Sequence, residues 1–116
     1  MKIHFKPWGW YKDLYEGPGY KLKIINIKEG EQLSLQSHKY RSEVWNTVSG
    51  QGEFFIKGVW CIARIGNCMK VPVNTIHRAK GGPGGLMFVE IQFGEKLSED
   101  DIQRLEDDYG RVLSSE

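Results

Sequence analysis

Nowhere in its 116 residues does the chain hold an apolar run of the roughly 20 residues that a membrane-spanning helix requires. The opening Met1-Lys2-Ile3-His4-Phe5-Lys6 also lacks the apolar stretch of a secretory signal. A cytoplasmic location with no membrane partner is the expectation. Charge of one sign is missing too. Sixteen basic and fifteen acidic side chains leave a formal net charge of +1, which gives no broad field to gather nucleic acid, so any anion recognition must be local. Cysteine is scarce, and a hairpin turning at Gly66-Asn67 would bring Arg64 or Ile65, not Cys61, beside Cys68. Two free, mostly buried thiols are expected, as suits a reducing compartment. A nucleotide cradle is absent as well. The run Gly81-Gly82-Pro83-Gly84-Gly85 misses Gly-x-Gly-x-x-Gly because Met87 takes the last position, and no Gly-rich loop with a following Lys occurs elsewhere.

What the chain does hold is a series of short runs rich in Trp, Tyr, Ile, Val and Phe, each closed by Gly, Asn or Pro, the pattern of an all-β sandwich or barrel. Strands are expected over residues 8–16, 20–28, 32–38, 43–49, 53–57, 59–65, 68–71, 75–80 and 86–93. Turns fall at Gly17-Pro18-Gly19, Glu29-Gly30, Gly50-Gln51-Gly52, Lys57-Gly58 and Gly66-Asn67, with residues 81–85 as a flexible loop. Leu22 and Ile24 share one face while Ile25 and Ile27 share the other, which fits a strand covered on both sides or carrying a bulge. In the last strand Met87, Val89, Ile91 and Phe93 form an apolar row for a barrel interior or a packed second layer. Only the tail reads as helix, with a capping-box-like start at Ser98-Glu99-Asp100-Asp101, Ile102 and Leu105 three apart, and Gly110 as the stop. A single domain over residues 1–116 accommodates all of this.

The chemistry-bearing residues cluster in the middle. On one strand Gln36, His38 and Tyr40 would point to the same side. Glu43 has the opposite parity and rejoins them only if the chain turns at Arg41-Ser42, which would align Glu43, Trp45 and Thr47 on the next strand. His77 follows the Pro72-Val73-Asn74 turn. Two imidazoles, a carboxylate and an amide oxygen make a first shell for a divalent first-row metal with positions left open. The plainer alternative is that His38 and His77 are core histidines satisfied by backbone carbonyls, while Glu43 pairs with Arg41.

The span from Gly30 through Gln36-Ser37-His38-Lys39-Tyr40-Arg41-Ser42-Glu43 to Gly50 resembles the first cupin motif, and Pro72-Val73-Asn74-Thr75-Ile76-His77 resembles the second. Lys6-Pro7-Trp8-Gly9-Trp10-Tyr11 and Glu106-Asp107-Asp108-Tyr109-Gly110-Arg111 narrow the resemblance to the cupin domain of type II mannose-6-phosphate isomerases. That resemblance implies a double-stranded β-helix, or jelly-roll, barrel with a short C-terminal helix, a homodimer, and one divalent ion on His38, Glu43, His77 and Gln36. Zinc is the foremost candidate, with manganese, iron or nickel as others. One departure stands out: Tyr40 occupies the position of the family's second histidine.

The implied reaction interconverts mannose 6-phosphate and fructose 6-phosphate or a related pair, which requires a Lewis acid, a proton-transferring base and cations for the phosphate. Tyr40 and Glu43 are the candidate bases. Arg104, Arg41, Arg78 and Lys39 are candidate phosphate-seating cations, and Trp45 is a candidate sugar-stacking wall. Lys39 and Arg78 alternate away from the ligand face, and Trp45 is equally at home in a core. Two further classes share the residues: a sugar-binding module that lost part of its metal site, and a small non-haem iron dioxygenase built on a two-histidine, one-carboxylate set.

Overall fold

The computed structural model describes residues 2–111. They form nine strands in one curled sheet: β1 (Ile3–Lys6), β2 (Gly9–Gly17), β3 (Tyr20–Ile27), β4 (Leu35–Ser37), β5 (Ser42–Ile56), β6 (Val59–Arg64), β7 (Cys68–Val71), β8 (His77–Phe93) and β9 (Gln103–Glu106). The sheet runs β1-β2-β3-β8-β4-β9, while β5 branches off to pair with β6, β7 and β8.

Two long strands account for the curl. The expected turns at Gly50-Gln51-Gly52 and residues 81–85 do not end their strands but bend them, with register breaks in the β5–β8 ladder at Thr47/Ser49 and Gly50/Gly52. Such irregularities sharpen local twist and let a strand turn a barrel corner. Gly50 has φ +75°, and a Cβ there would collide with the carbonyl oxygen of Gly85, so this crossing admits no side chain. Beyond the bend, the first half of β8 passes between β4 and the second half of β5, while its second half passes between β3 and the first half of β5.

Among the described residues there is no helix. The tail expected to be helical instead makes turns at residues 98–101 and then strand β9, which pairs with β4 through Gln36 and Arg104. A single short amphipathic stretch gains little as an isolated helix, whereas here its amides complete the open edge of β4. β1 lies outside the expected strands and pairs with β2 across the Pro7-Trp8 turn.

The core is Trp8, Ile25, Ile27, Leu33, Trp45, Phe54, Ala63, Val71, Ala79, Leu86 and Phe88. Its layout corrects the expected apolar row: Leu86, Phe88, Glu90 and Gln92 face inward, whereas Met87, Val89 and Ile91 lie half-buried on the other face and Phe93 is exposed. On β3 the inward row is Lys21, Lys23, Ile25 and Ile27. One end of the barrel is therefore packed with hydrocarbon and the other is lined with charge. Both cysteines are free, and β6 and β7 do not form the expected hairpin, since each pairs with β5 instead. Cys68 is exposed, contrary to the expectation of burial.

Candidate metal centre and adjoining cavity

Strand register builds the polar end. Lys21, Gln92 and Glu43 stand in one rung across β3, β8 and β5, and Lys23, Glu90 and Trp45 in the next. All six side chains are buried. His38 follows the end of β4 and His77 opens β8, where it lies opposite Gln36.

His38, Glu43 and His77 present ligand atoms that all lie within 4.8 Å of one another, and the three residues are 4%, 1% and 2% exposed. Each imidazole is oriented by a backbone carbonyl: His38 Nδ1 lies 2.6 Å from the Asp101 oxygen and His77 Nδ1 2.8 Å from the Thr75 oxygen. A carbonyl can only accept, so Nδ1 carries the proton and Nε2 offers its lone pair. Those lone pairs converge on the carboxylate of Glu43, at 3.3 Å from His38 Nε2 and 4.0 Å from His77 Nε2. Burial also lowers the affinity of both rings for a second proton. His38 falls to about 4 through desolvation, with Arg41 and His77 adding to the effect. His77 is lowered chiefly by desolvation, with Arg41 adding to the effect. Two neutral imidazoles and a carboxylate, oriented by outer carbonyls and gathered at one point, are a donor set that fits a divalent first-row ion.

Arg41 complicates this centre. Its guanidinium is buried, donates from Nε to Glu43 at 2.7 Å, lies 3.2 Å from His38 Nε2 through Nη2, and reaches the Ser98 carbonyl at 3.3 Å through Nη1. Arg41 also lines a cavity of about 190 Å³ beside the centre, whose walls include Lys6, Tyr11, Lys23, Gln36, Glu90 and Arg104.

Glu90 is the group that the sequence did not expose. Its carboxylate accepts from the Trp45 indole N–H at 3.1 Å and from Gln92 Nε2 at 2.7 Å. Burial, then the neighbouring charge of Glu43, pushes it up to about 7. Only the alternation of β8 hints at it, as the acidic member of the inward row Leu86, Phe88, Glu90 and Gln92. Lys23, inward on β3, is held at 2.9 Å by Glu99 and lies 4.3 Å above the Tyr11 ring.

The other candidate residues divide cleanly. Tyr40 is 49% exposed, with Lys96 over its ring at 4.8 Å. The strand alternation that would have turned it toward His38 stops at Ser37, where β4 ends. Lys39 is exposed, and its backbone amide donates to Asp101 at 2.8 Å. Arg78 is buried away from the cavity, donating to the Leu33 carbonyl at 3.0 Å and facing Glu106 at 3.6 Å. Trp45 is 1% exposed and packs on Phe54, Phe88 and His77, so it forms no sugar-stacking wall. Its N–H instead bridges Glu43 and Glu90. Gln36 lines the cavity, but its amide nitrogen donates to Ser34 Oγ at 3.1 Å. Arg104 also lines the cavity, and its Nε is buried without a partner.

A curled all-β barrel with two histidines and a glutamate gathered inside it is a cupin with a candidate metal centre. The chain belongs to the family described as "Mannose-6-phosphate isomerase C-terminal", whose model matches residues 1–107. It is 38% identical over 109 residues to "Alginate biosynthesis protein AlgA" of Pseudomonas aeruginosa, covering 93% of this chain and 23% of that protein. It is 36% identical over 109 residues to "Mannose-1-phosphate guanylyltransferase ManC" of Salmonella typhimurium, again covering 93% of this chain and 23% of the relative. The chain thus spans about a quarter of the length of these curated relatives. Among solved structures it is similar to KdgF from Halomonas sp., with TM-score 0.78 at 15% identity, covering 86% of this chain and 90% of that one. It is likewise similar to oxalate decarboxylase from Bacillus subtilis, with TM-score 0.79 at 18% identity, covering 90% of this chain and 30% of that one. At these identities the structural likeness establishes the fold.

Proposed function

We propose that this domain is a metal-dependent aldose–ketose isomerase acting on a sugar phosphate, with mannose 6-phosphate and fructose 6-phosphate as the first pair to test. The observation that carries the reading is the buried His38, Glu43 and His77 cluster beside a cavity that holds Lys6, Lys23, Arg41 and Arg104. Membership of the isomerase family supports it.

Isomerisation moves one proton from C2 to C1 and another from O2 to O1, with no net oxidation. A divalent ion held by His38, His77 and Glu43 would supply Lewis acidity toward the carbonyl and its neighbouring hydroxyl. Glu43 would be taken up as a ligand of that ion, and Tyr40 faces outward, so neither is suited to move the carbon-bound proton. Glu90 is. It is a cavity-lining carboxylate whose position near 7 balances acceptance against return of a proton at neutral pH. Arg104 brings a donor with no protein partner, the kind of group a phosphate oxygen satisfies. Arg111 is engaged on both sides by Asp107, at 2.8 and 3.0 Å, and serves as wall.

A second reading is a sugar-binding module without turnover, favoured by the outward Tyr40, which leaves three strong donors at the centre. The test is turnover of mannose 6-phosphate by the metal-loaded protein, followed by coupled assay of fructose 6-phosphate, with a chelator control. Chelator-sensitive turnover supports the isomerase. Sugar phosphate binding without turnover supports the module, and oxygen uptake on iron would replace both with an oxygenase. Cytoplasmic location and dimerisation remain part of the proposal, tested by fractionation and by light scattering.

A further inference from the structure

His38 Nε2 has one lone pair, and the structure gives it to Arg41: Nη2 lies 3.2 Å away while Nε of the same guanidinium holds Glu43 at 2.7 Å. An ion bonded to His38 needs that same lone pair, and a unit positive charge this close to it and to Glu43 Oε2 would repel the ion strongly in so dry a site. The arginine cannot simply remain. It has somewhere to go, because its side chain also lines the cavity, whose walls carry the cations Lys6, Lys23 and Arg104 as well as Glu90 and Glu99.

We propose that Arg41 is a movable cation that couples the metal centre to the cavity, leaving the two donors when it engages an oxyanion there, so that metal and oxyanion each tighten the binding of the other. The proposal rests on the metal reading above and not on the isomerase reading. The fork of the guanidinium is what permits it: one planar group spans His38 and Glu43 together, and the same planar group matches the oxygens of a phosphate or sulfate. Linkage then requires reciprocity, since a factor by which the oxyanion raises metal affinity must equal the factor by which the metal raises oxyanion affinity. It also gives the cavity's ligand a means of completing the ion site, with the metal held loosely until an anionic ligand has arrived.

The test is equilibrium titration of the full chain with Co²⁺, read by its visible absorption and by dialysis, in sulfate and in chloride at matched ionic strength. The wild type is expected to bind Co²⁺ about tenfold more tightly in sulfate. Arg41→Met is expected to bind about tenfold more tightly than wild type in chloride and to lose the sulfate effect. Arg41→Lys, which keeps the charge but not the fork, is expected to fall between. Sulfate-independent binding by the wild type, or binding by a folded Arg41→Met that is no tighter than wild type, overturns the coupling. If Arg41→Met does not fold, the wild-type sulfate comparison and the lysine variant still decide. Co²⁺ binding that His77→Ala abolishes and that neither sulfate nor Arg41 affects would overturn this inference while leaving the metal reading intact. No Co²⁺ binding under any condition would overturn both.

Discussion

Glu90 stands directly across the β5–β8 ladder from Trp45, and the indole N–H of Trp45 donates to its carboxylate at 3.1 Å. The bond fixes an acidic group at the wall of the cavity, where the proposed isomerisation would need a proton carrier. Glu90→Gln keeps the shape and the acceptor while removing that capacity. We expect kcat for mannose 6-phosphate to fall by about 10²–10⁴, the usual worth of general acid–base catalysis, with metal content and KM little changed. Retention of most of kcat would assign the base elsewhere.

The buried groups also shape stability against pH. In the metal-free protein His38 titrates near 4 instead of its ordinary 6.5, so the unfolded chain binds more protons in that window and stability falls as pH drops from about 6.5 to about 4. His77, lowered in the same direction, adds to the loss. Glu90 is raised from 4.5 to about 7, so the folded chain binds more protons there and stability falls as pH rises from about 4.5 to about 7. The two slopes oppose. Two histidines outweigh one carboxylate, so urea unfolding of the chelator-treated wild type should lose stability only shallowly as pH falls between these limits, whereas Glu90→Gln should lose it more steeply, by at most about 1.4 kcal/mol per pH unit for each proton. Equal profiles for the two proteins would contradict the assignment.

Trp45 holds two carboxylates with one N–H, at 2.9 Å to Glu43 and 3.1 Å to Glu90. Trp45→Phe keeps an aromatic ring against Phe54 and Phe88 but leaves both acceptors short of a donor. A loss of about 1–3 kcal/mol in unfolding free energy is expected from denaturant titration, beyond any packing cost. A neutral substitution would mean that the shared N–H contributes little.

Arg104 has its Nε buried without a partner at the cavity wall. Arg104→Met should raise KM for the sugar phosphate by about tenfold to a hundredfold, the worth of one charge-assisted hydrogen bond, and should leave affinity for a neutral sugar unchanged. Equal losses for phosphorylated and neutral sugars would place Arg104 away from the phosphate.

How much of this was legible in the sequence depends on which forces act locally. Most strands follow from β-rich runs between turn residues, and the gathering of His38, Glu43 and His77 from the motif spacing, although the chain bends at Lys39-Tyr40 and Ser42 already opens β5. Parity failed where a strand ended early: Tyr40 lies past Ser37, the last residue of β4, and so lost the alternation assumed for it. Glycines at residues 50–52 and 81–85 looked like turns because local reading cannot distinguish a hairpin from a bend that lets two strands touch. The tail took strand form because β4 needed a neighbour, which is tertiary information. Glu90 was missed for a related reason, since the fuller apolar row of β8 lies on the outer face and only the ladder with β5 shows which side is within. The plainer reading of these residues holds in part. Both histidines satisfy backbone carbonyls through Nδ1, and Glu43 pairs with Arg41, which also reaches His38 Nε2.

The most direct test of the account is an anomalous-scattering map of crystals of the metal-loaded protein, recorded at the absorption edge of the bound metal. One peak bonded to His38 Nε2, His77 Nε2 and a carboxylate oxygen of Glu43 is predicted. A peak on other residues, or none in protein shown to carry metal, would contradict it.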